Sequence, residues 1–137
     1  MKVYRLEHKQ SRVGHFNAFN PMLGDPETGL PFPNPNFNAK AERIAAMGYR
    51  MNLRGPWEDG LGHVQGNWDY KYAVTTKEVM ARWFDAKALR ELHNQFGIIA
   101  AEYDVAPRFI EKGYTQVAFL ANKAKFVREV PLEELGL

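Results

Sequence analysis

Residues 75–105, TTKEVMARWFDAKALRELHNQFGIIAAEYDV, decide the fold class, because two helical periods run directly into a strand. Thr75-Thr76-Lys77-Glu78 has the capping-box form, a hydroxyl residue three places before a glutamate, which satisfies first-turn N–H groups. Behind it Val79, Met80, Trp83 and Phe84 recur at helical spacing and make one apolar stripe. Asp85 is placed to cap a second helix whose Leu89, Leu92 and Phe96 share a face, and Gly97 stands where a left-handed residue ends it. Ile98-Ile99-Ala100-Ala101-Glu102-Tyr103-Asp104-Val105 then has the length and content of a strand.

Toward the C-terminus, Pro107 breaks the chain before two more strand-like runs, Thr115 to Leu120 and Lys125 to Val130. Toward the N-terminus, Trp68-Asp69-Tyr70-Lys71-Tyr72-Ala73-Val74 alternates aromatic with polar and reads as a strand. Val3 to His8 reads as the first strand, with Tyr4 and Leu6 on one face and Arg5 and Glu7 on the other. The expectation is a core face and a charge-bearing face. Between the first two strands, Asn17 to Pro35 is crowded with Asn, Pro and Gly and predicts a long loop, pinned to the body by Phe16, Phe19, Phe32 and Phe37. Asn38 caps a short helix from Ala39 to Met47, stopped by Gly48, and a glycine-rich stretch runs from Arg54 to His63. Strand, long loop, strand, two helices and a run of strands predict a single α+β domain over residues 1–137. Its sheet is antiparallel or mixed, with two to three helices and long N-terminal loops; a doubly wound parallel fold is disfavoured.

With 137 residues, 45% hydrophobic and 25% charged, the chain is large enough to bury a core without staples. Eighteen basic against 16 acidic residues leave a formal charge of +2, too small a surplus to argue by itself for a phosphate backbone, so nucleic acid is a minority reading. The absence of cysteine excludes disulfides, zinc–thiolate sites and thiol nucleophiles, and makes a cytoplasmic setting the default. No apolar run approaches the roughly 20 residues of a membrane span, and no secretory apolar region follows Lys2. His8, His15, His63 and His93 lack metal-site spacing, so no metal is expected. Ser11 is the only serine, and neither a P-loop, a Gly-x-Gly-x-x-Gly turn nor a nucleophile elbow occurs.

Charged residues inside a strand that otherwise reads as core mark either an ion-pair network or a ligand site. In the first case Arg5 and Glu7 pair on a solvated sheet face. In the second, Arg5 offers a bidentate cation to a phosphate or pyrophosphate, while His8 or His15 donates to a ribose or base. Trp57, just before the Asp59-Gly60 turn, and Tyr72 are the aromatics placed to stack on a ring, against the plainer role of cross-strand packing. Gln116 alternates with Val117 and Phe119, and flanks a cleft with Arg5 only if the two share a face. His93, near a helix end, has a dipole or packing role.

Tyr4-Arg5-Leu6-Glu7 with the turn Gly14-His15-Phe16, the Arg54-Gly55-Pro56-Trp57-Glu58-Asp59 loop, Trp83-Phe84, Tyr103-x-Val105 and Gln116-Val117-Ala118-Phe119 together resemble small proteins encoded by phages and prophages. At a greater distance the arrangement is similar to the ADP-ribosyltransferase architecture. That family places Arg or His on the first core strand, Ser, Thr or Tyr on a middle strand leading to a helix, and Glu or Gln on a late strand, around an NAD cleft. The resemblance implies Arg5, then Tyr72 or Thr75, then Gln116 in those places, with Gln116 in the catalytic one. The family's Ser-Thr-Ser run is absent, and a glutamine lacks the charge that stabilises an oxocarbenium-like centre. The implied function is therefore binding of NAD or a related nucleotide rather than efficient transfer.

The competing expectations are a phage-encoded inhibitor that binds a host defence protein or a nucleotide signal stoichiometrically, and a structural or virion-associated protein. Oligomeric state has no signal in the sequence.

Overall fold

The computed structural model describes residues 1–9, 60–64, 67, 69–83 and 86–136. The Gly14 turn with His15, the Asn/Pro-rich loop, the helix expected at 39–47, the Trp57 loop and the cap at Asp85 lie outside the described residues.

Six strands and two helices are described: β1 (Lys2–His8), β2 (Tyr70–Ala73), α1 (Lys77–Trp83), α2 (Ala86–Phe96), β3 (Ile98–Val105), β4 (Ile110–Lys112), β5 (Val117–Leu120) and β6 (Ala124–Val130). α1 starts where the hydroxyl residues stand, and the cap is Thr76, whose Oγ1 accepts the Val79 N–H at 3.2 Å. α2 ends at Gly97, whose φ of 68° is the left-handed conformation a Cβ disfavours. Short 3₁₀ turns cover Pro107–Phe109, Ala121–Lys123 and Leu132–Leu135.

All strand pairs are antiparallel and form two three-stranded sheets, ordered β1-β3-β6 and β2-β5-β4. A single bridge joins them at a corner, where Tyr4 and Val74 exchange two 2.8 Å N–H···O bonds. The fold is α+β, as expected. The first sheet is covered on both faces. Leu6, Ile98, Ala100 and Val130 meet Met80, Leu89 and Leu92 of the helices. On the opposite face Val3, Ile99, Ala101, Tyr103 and Val105 meet Ala73, Val117 and Phe119 of the second sheet. Three layers result, with β1 and β3 in the middle one, which explains why β3 is buried at every position but Asp104 rather than at alternate ones.

This corrects the expectation of one core face and one charge-bearing face on β1. The side that carries Arg5 and Glu7 is the side that packs on the second sheet, so its charges are buried between layers. The second correction is in the hairpin before β5. Only β5 was expected there, but the three-residue β4 pairs with it, Lys112 opposite Val117, and the Gly113 N–H donates to the Gln116 carbonyl at 2.8 Å across the loop. Three residues are too few for an alternation to be read.

The C-terminal turn is anchored by Leu135, buried in the helix-facing core, and by Arg128, whose two Nη groups donate to the Glu134 carboxylate at 2.8 and 2.7 Å. Among the described residues, no helix is long and apolar enough to cross a membrane.

Candidate functional site

Alternation along β1 projects Val3, Arg5 and Glu7 into the space between the sheets. Glu7 is fully buried, and the Arg5 side chain is 9% exposed. Burial of an ion costs several kcal/mol unless it is paired and hydrogen-bonded, so the partners of each decide what the site is. Glu7 is well served: the Tyr103 O–H lies 2.5 and 2.9 Å from its two carboxylate oxygens. Tyr103 comes from β3, where it faces Val3 across the ladder, and its phenol runs along the sheet to Glu7. The residue opposite Arg5 is Ala101, whose small side chain leaves room for this reach. The Tyr103 ring is fixed on two sides, 5.6 Å from Phe119 of the second sheet and 5.6 Å from Phe126 of β6 in an edge-on contact.

Arg5 is served less well. Its Nε is 4.0 Å from a Glu7 oxygen, beyond hydrogen-bond reach, and is the one fully buried side-chain nitrogen or oxygen among the described residues with no hydrogen-bond partner. Burial pulls its guanidinium below the ordinary arginine range, and the nearby Glu7 and Tyr103 offset this only in part. The Tyr103 ring also has a cation over it. Lys71 of β2 lies on the same side as Phe119, its ladder partner, and its Nζ is 6.0 Å from the Tyr103 ring centroid. Between the sheets, the described residues thus leave one buried guanidinium nitrogen, Arg5 Nε, without a hydrogen-bond partner beside a Glu7 that Tyr103 already engages.

The expected residues do not converge on this point. His8 is buried on β1 but faces the helix side with Tyr4 and Leu6, and its Nε2 is 3.3 Å from the position a Cβ would take at Gly97. Tyr72 is on the outer face of the second sheet, beside Leu61 and Val64, where its O–H donates a long 3.5 Å bond to the Val64 carbonyl and burial raises its pKa. Thr75 is exposed in the bend before α1. Gln116 is buried just before β5, and alternation sets it with Ala118 toward Tyr72 rather than with Val117 and Phe119 toward Arg5. His15 and Trp57 lie outside the described residues. The three positions implied by the transferase resemblance therefore do not share one face, and the ring and ribose positions of an NAD clamp do not gather around Arg5.

Sequence reasoning missed Tyr103 and Lys71. The parity of β2 carried the signal for Lys71. Tyr70 and Tyr72 drew attention to their face as the ligand or core face, whereas Lys71 and Ala73 point inward. For Tyr103 the only signal was a phenol on the same parity as Ile99 and Ala101.

A second buried carboxylate, Glu102, lies on the helix side of the same sheet. It is 3.5 Å from Arg128 and accepts a hydrogen bond from Tyr4, whose pKa is raised by burial and then by Glu102. Those ions are mutually satisfied and close the C-terminal turn onto the sheet. Among the described residues no group of three or more His, Asp or Glu side chains is placed to hold a metal ion.

No curated protein and no solved structure matches the chain at a significant level. A family model described as the bacteriophage T4 Y00F protein matches residues 1–133, nearly the full length, and the chain belongs to that phage family.

Proposed function

We propose that this phage protein is a binding protein for a small phosphate-bearing ligand of the nucleotide class, held at Arg5 between the two sheets and not turned over. The observation that carries the reading is the buried Arg5 Nε without a hydrogen-bond partner, beside a Glu7 already engaged by Tyr103. A guanidinium in that state gains a charge-assisted, bidentate partner when a phosphate arrives, and a planar fork suits phosphate better than an ammonium does. Turnover is not part of the reading, because Gln116 does not face Arg5 and no described carboxylate other than Glu7, bound to Tyr103, borders it. In the cytoplasm of an infected cell, such a protein acts by sequestering a nucleotide signal.

Thermal unfolding with millimolar AMP, ADP, ADP-ribose, NAD or inorganic phosphate, followed by calorimetric titration, tests this. Ligand at about 100 times its Kd stabilises the folded state by about 2.7 kcal/mol, a shift of several degrees. Arg5→Lys, which keeps the charge and loses the fork, is expected to abolish most of the shift. No shift and no binding heat with any of these ligands overturns the reading, and measured consumption of NAD overturns the absence of turnover.

A further inference from the structure

The phosphate site at Arg5, on which this proposal rests, is short of donors. The Nε–H and one Nη–H of a guanidinium form a parallel fork that takes two oxygens at once. Among the described residues, those that border Arg5 on its own side of the sheet add no third donor. Its neighbours there along β1 are Val3 and Glu7, and Ala101 lies opposite it on β3. The Tyr103 O–H is already given to Glu7, at 2.5 and 2.9 Å from the two carboxylate oxygens. Lys71 stands over the Tyr103 ring, 6.0 Å from its centroid. Glu129, in the row of Arg5 and Ala101 on β6, has its carboxylate 3.9 Å from His93 Nδ1. Charge sets the same limit. Arg5 and Glu7, 4.0 Å apart, offset one another in a layer where Glu7 is fully buried. An arriving monoanion therefore leaves one uncompensated charge in that layer and a dianion leaves two, and burial penalises uncompensated charge most.

We propose that the ligand of this site is a phosphodiester, as in a cyclic nucleotide or a dinucleotide, and not a terminal phosphate. A phosphodiester has two free oxygens and one charge, so the guanidinium fork serves both oxygens and neither is left over. A phosphomonoester has three free oxygens and, with a second pKa of about 6, close to two charges at neutral pH. Its third oxygen finds the apolar Val3 and Ala101 or the like charge of Glu7. The buried carboxylate beside Arg5 thus acts as the selective element, admitting an anion of single charge and opposing one of double charge.

The test is a calorimetric titration of the full chain with cyclic AMP, the dinucleoside monophosphate ApA and AMP, at about pH 7.5 and again at about pH 5.5. At the higher pH at least one diester is expected to bind about tenfold or more tightly than AMP. With a second pKa of about 6, AMP is about 3% monoanion at pH 7.5 and about 75% at pH 5.5, so its affinity is expected to rise about 25-fold on acidification. The diester phosphates do not ionise in this range. Any change in their binding therefore reports titration of the protein, and the rise for AMP is read relative to it. Glu7→Gln removes the opposing charge and narrows the gap between AMP and the diesters at pH 7.5; the pH comparison needs no variant and stands if Glu7→Gln does not fold. Two results overturn the proposal and leave the phosphate site standing: AMP binding as tightly as both diesters at pH 7.5, or AMP following the diesters through the pH change. Two others overturn the phosphate site and the proposal together: no binding of any of the three at millimolar concentration, or diester binding unchanged in Arg5→Lys.

Discussion

Glu7→Gln is the sharpest probe of the buried cluster, because it keeps the shape and an acceptor for the Tyr103 O–H and removes only the charge. At 4.0 Å, and with an effective dielectric of about 20, the attraction between Arg5 and Glu7 is about 4 kcal/mol. Losing it leaves Arg5 buried with no counter-charge on its own strand, and breaking such a pair from one side costs about 3–5 kcal/mol. For a chain of this size that is a fall in Tm of roughly 10 °C or more. The assay is urea unfolding at neutral pH of the parent, Glu7→Gln, Arg5→Met and the double variant, with unchanged m-values required before the free energies are compared. Arg5→Met/Glu7→Gln is expected to be more stable than the sum of the single losses predicts by about 2–3 kcal/mol, since neither buried ion remains. Added phosphate is expected to recover part of the loss in Glu7→Gln by substituting for the missing anion. A loss below about 1 kcal/mol in Glu7→Gln, together with additivity in the double variant, refutes the reasoning, because then the two charges are not held in a dry layer.

The Glu134 carboxyl is held down at about 2 by hydrogen bonds from Arg128, against an ordinary value of 4.5. A carboxyl lowered on folding contributes stability that is present above the unfolded value and is lost as pH falls toward 2. Protection factors over Leu132–Leu135, that is exchange rates divided by the intrinsic rate at each pH, are therefore expected to fall between about pH 4.5 and 2, and Glu134→Gln to remove that dependence; protection factors flat with pH in the parent refute it. Gly97→Ala and Gly136→Ala both place a Cβ at positive φ, at 68° and 78°, a cost of about 1–2 kcal/mol each. At Gly97 the new Cβ also meets His8 Nε2 at 3.3 Å, whereas at Gly136 nothing lies within 4 Å, so Gly97→Ala is expected to be the more destabilising in urea, and equal losses count against the His8 contact. Thr76→Ala removes the cap of α1 and is expected to cost about 1 kcal/mol by the same assay, with Thr75→Ala close to neutral; the reverse order places the cap one residue earlier.

The elements closest to their expected form are those whose signals are local. β3 begins and ends at Ile98 and Val105 as read, and α2 stops at Gly97, because periodicity and a left-handed stop act over a few residues. β2 and β5 are shorter than their apolar runs suggested, since a strand extends only as far as its ladder partner does. The candidate site was legible in part. Arg5 was singled out for being a charge inside a core-like strand, and it is buried, but the residues around it are not those expected. Tyr72 and Gln116 are on the far side of the second sheet, and Glu7 with Tyr103 takes the place beside it.

The sequence alone determined that Arg5 and Glu7 share one side of a strand and Tyr4 and Leu6 the other, and that the chain is α+β with an antiparallel or mixed sheet. Covalent geometry imposes the first, and local periodicity with short connections the second. Only the tertiary structure decided that the Arg5 side is dry, because alternation distinguishes two faces without saying which layer covers each. It also decided what holds Glu7. That partner is 96 residues away in the chain, and its position depends on strand register, on the small Ala101 opposite Arg5 and on the packing of Phe119 and Phe126 against its ring, none of which has a local signature.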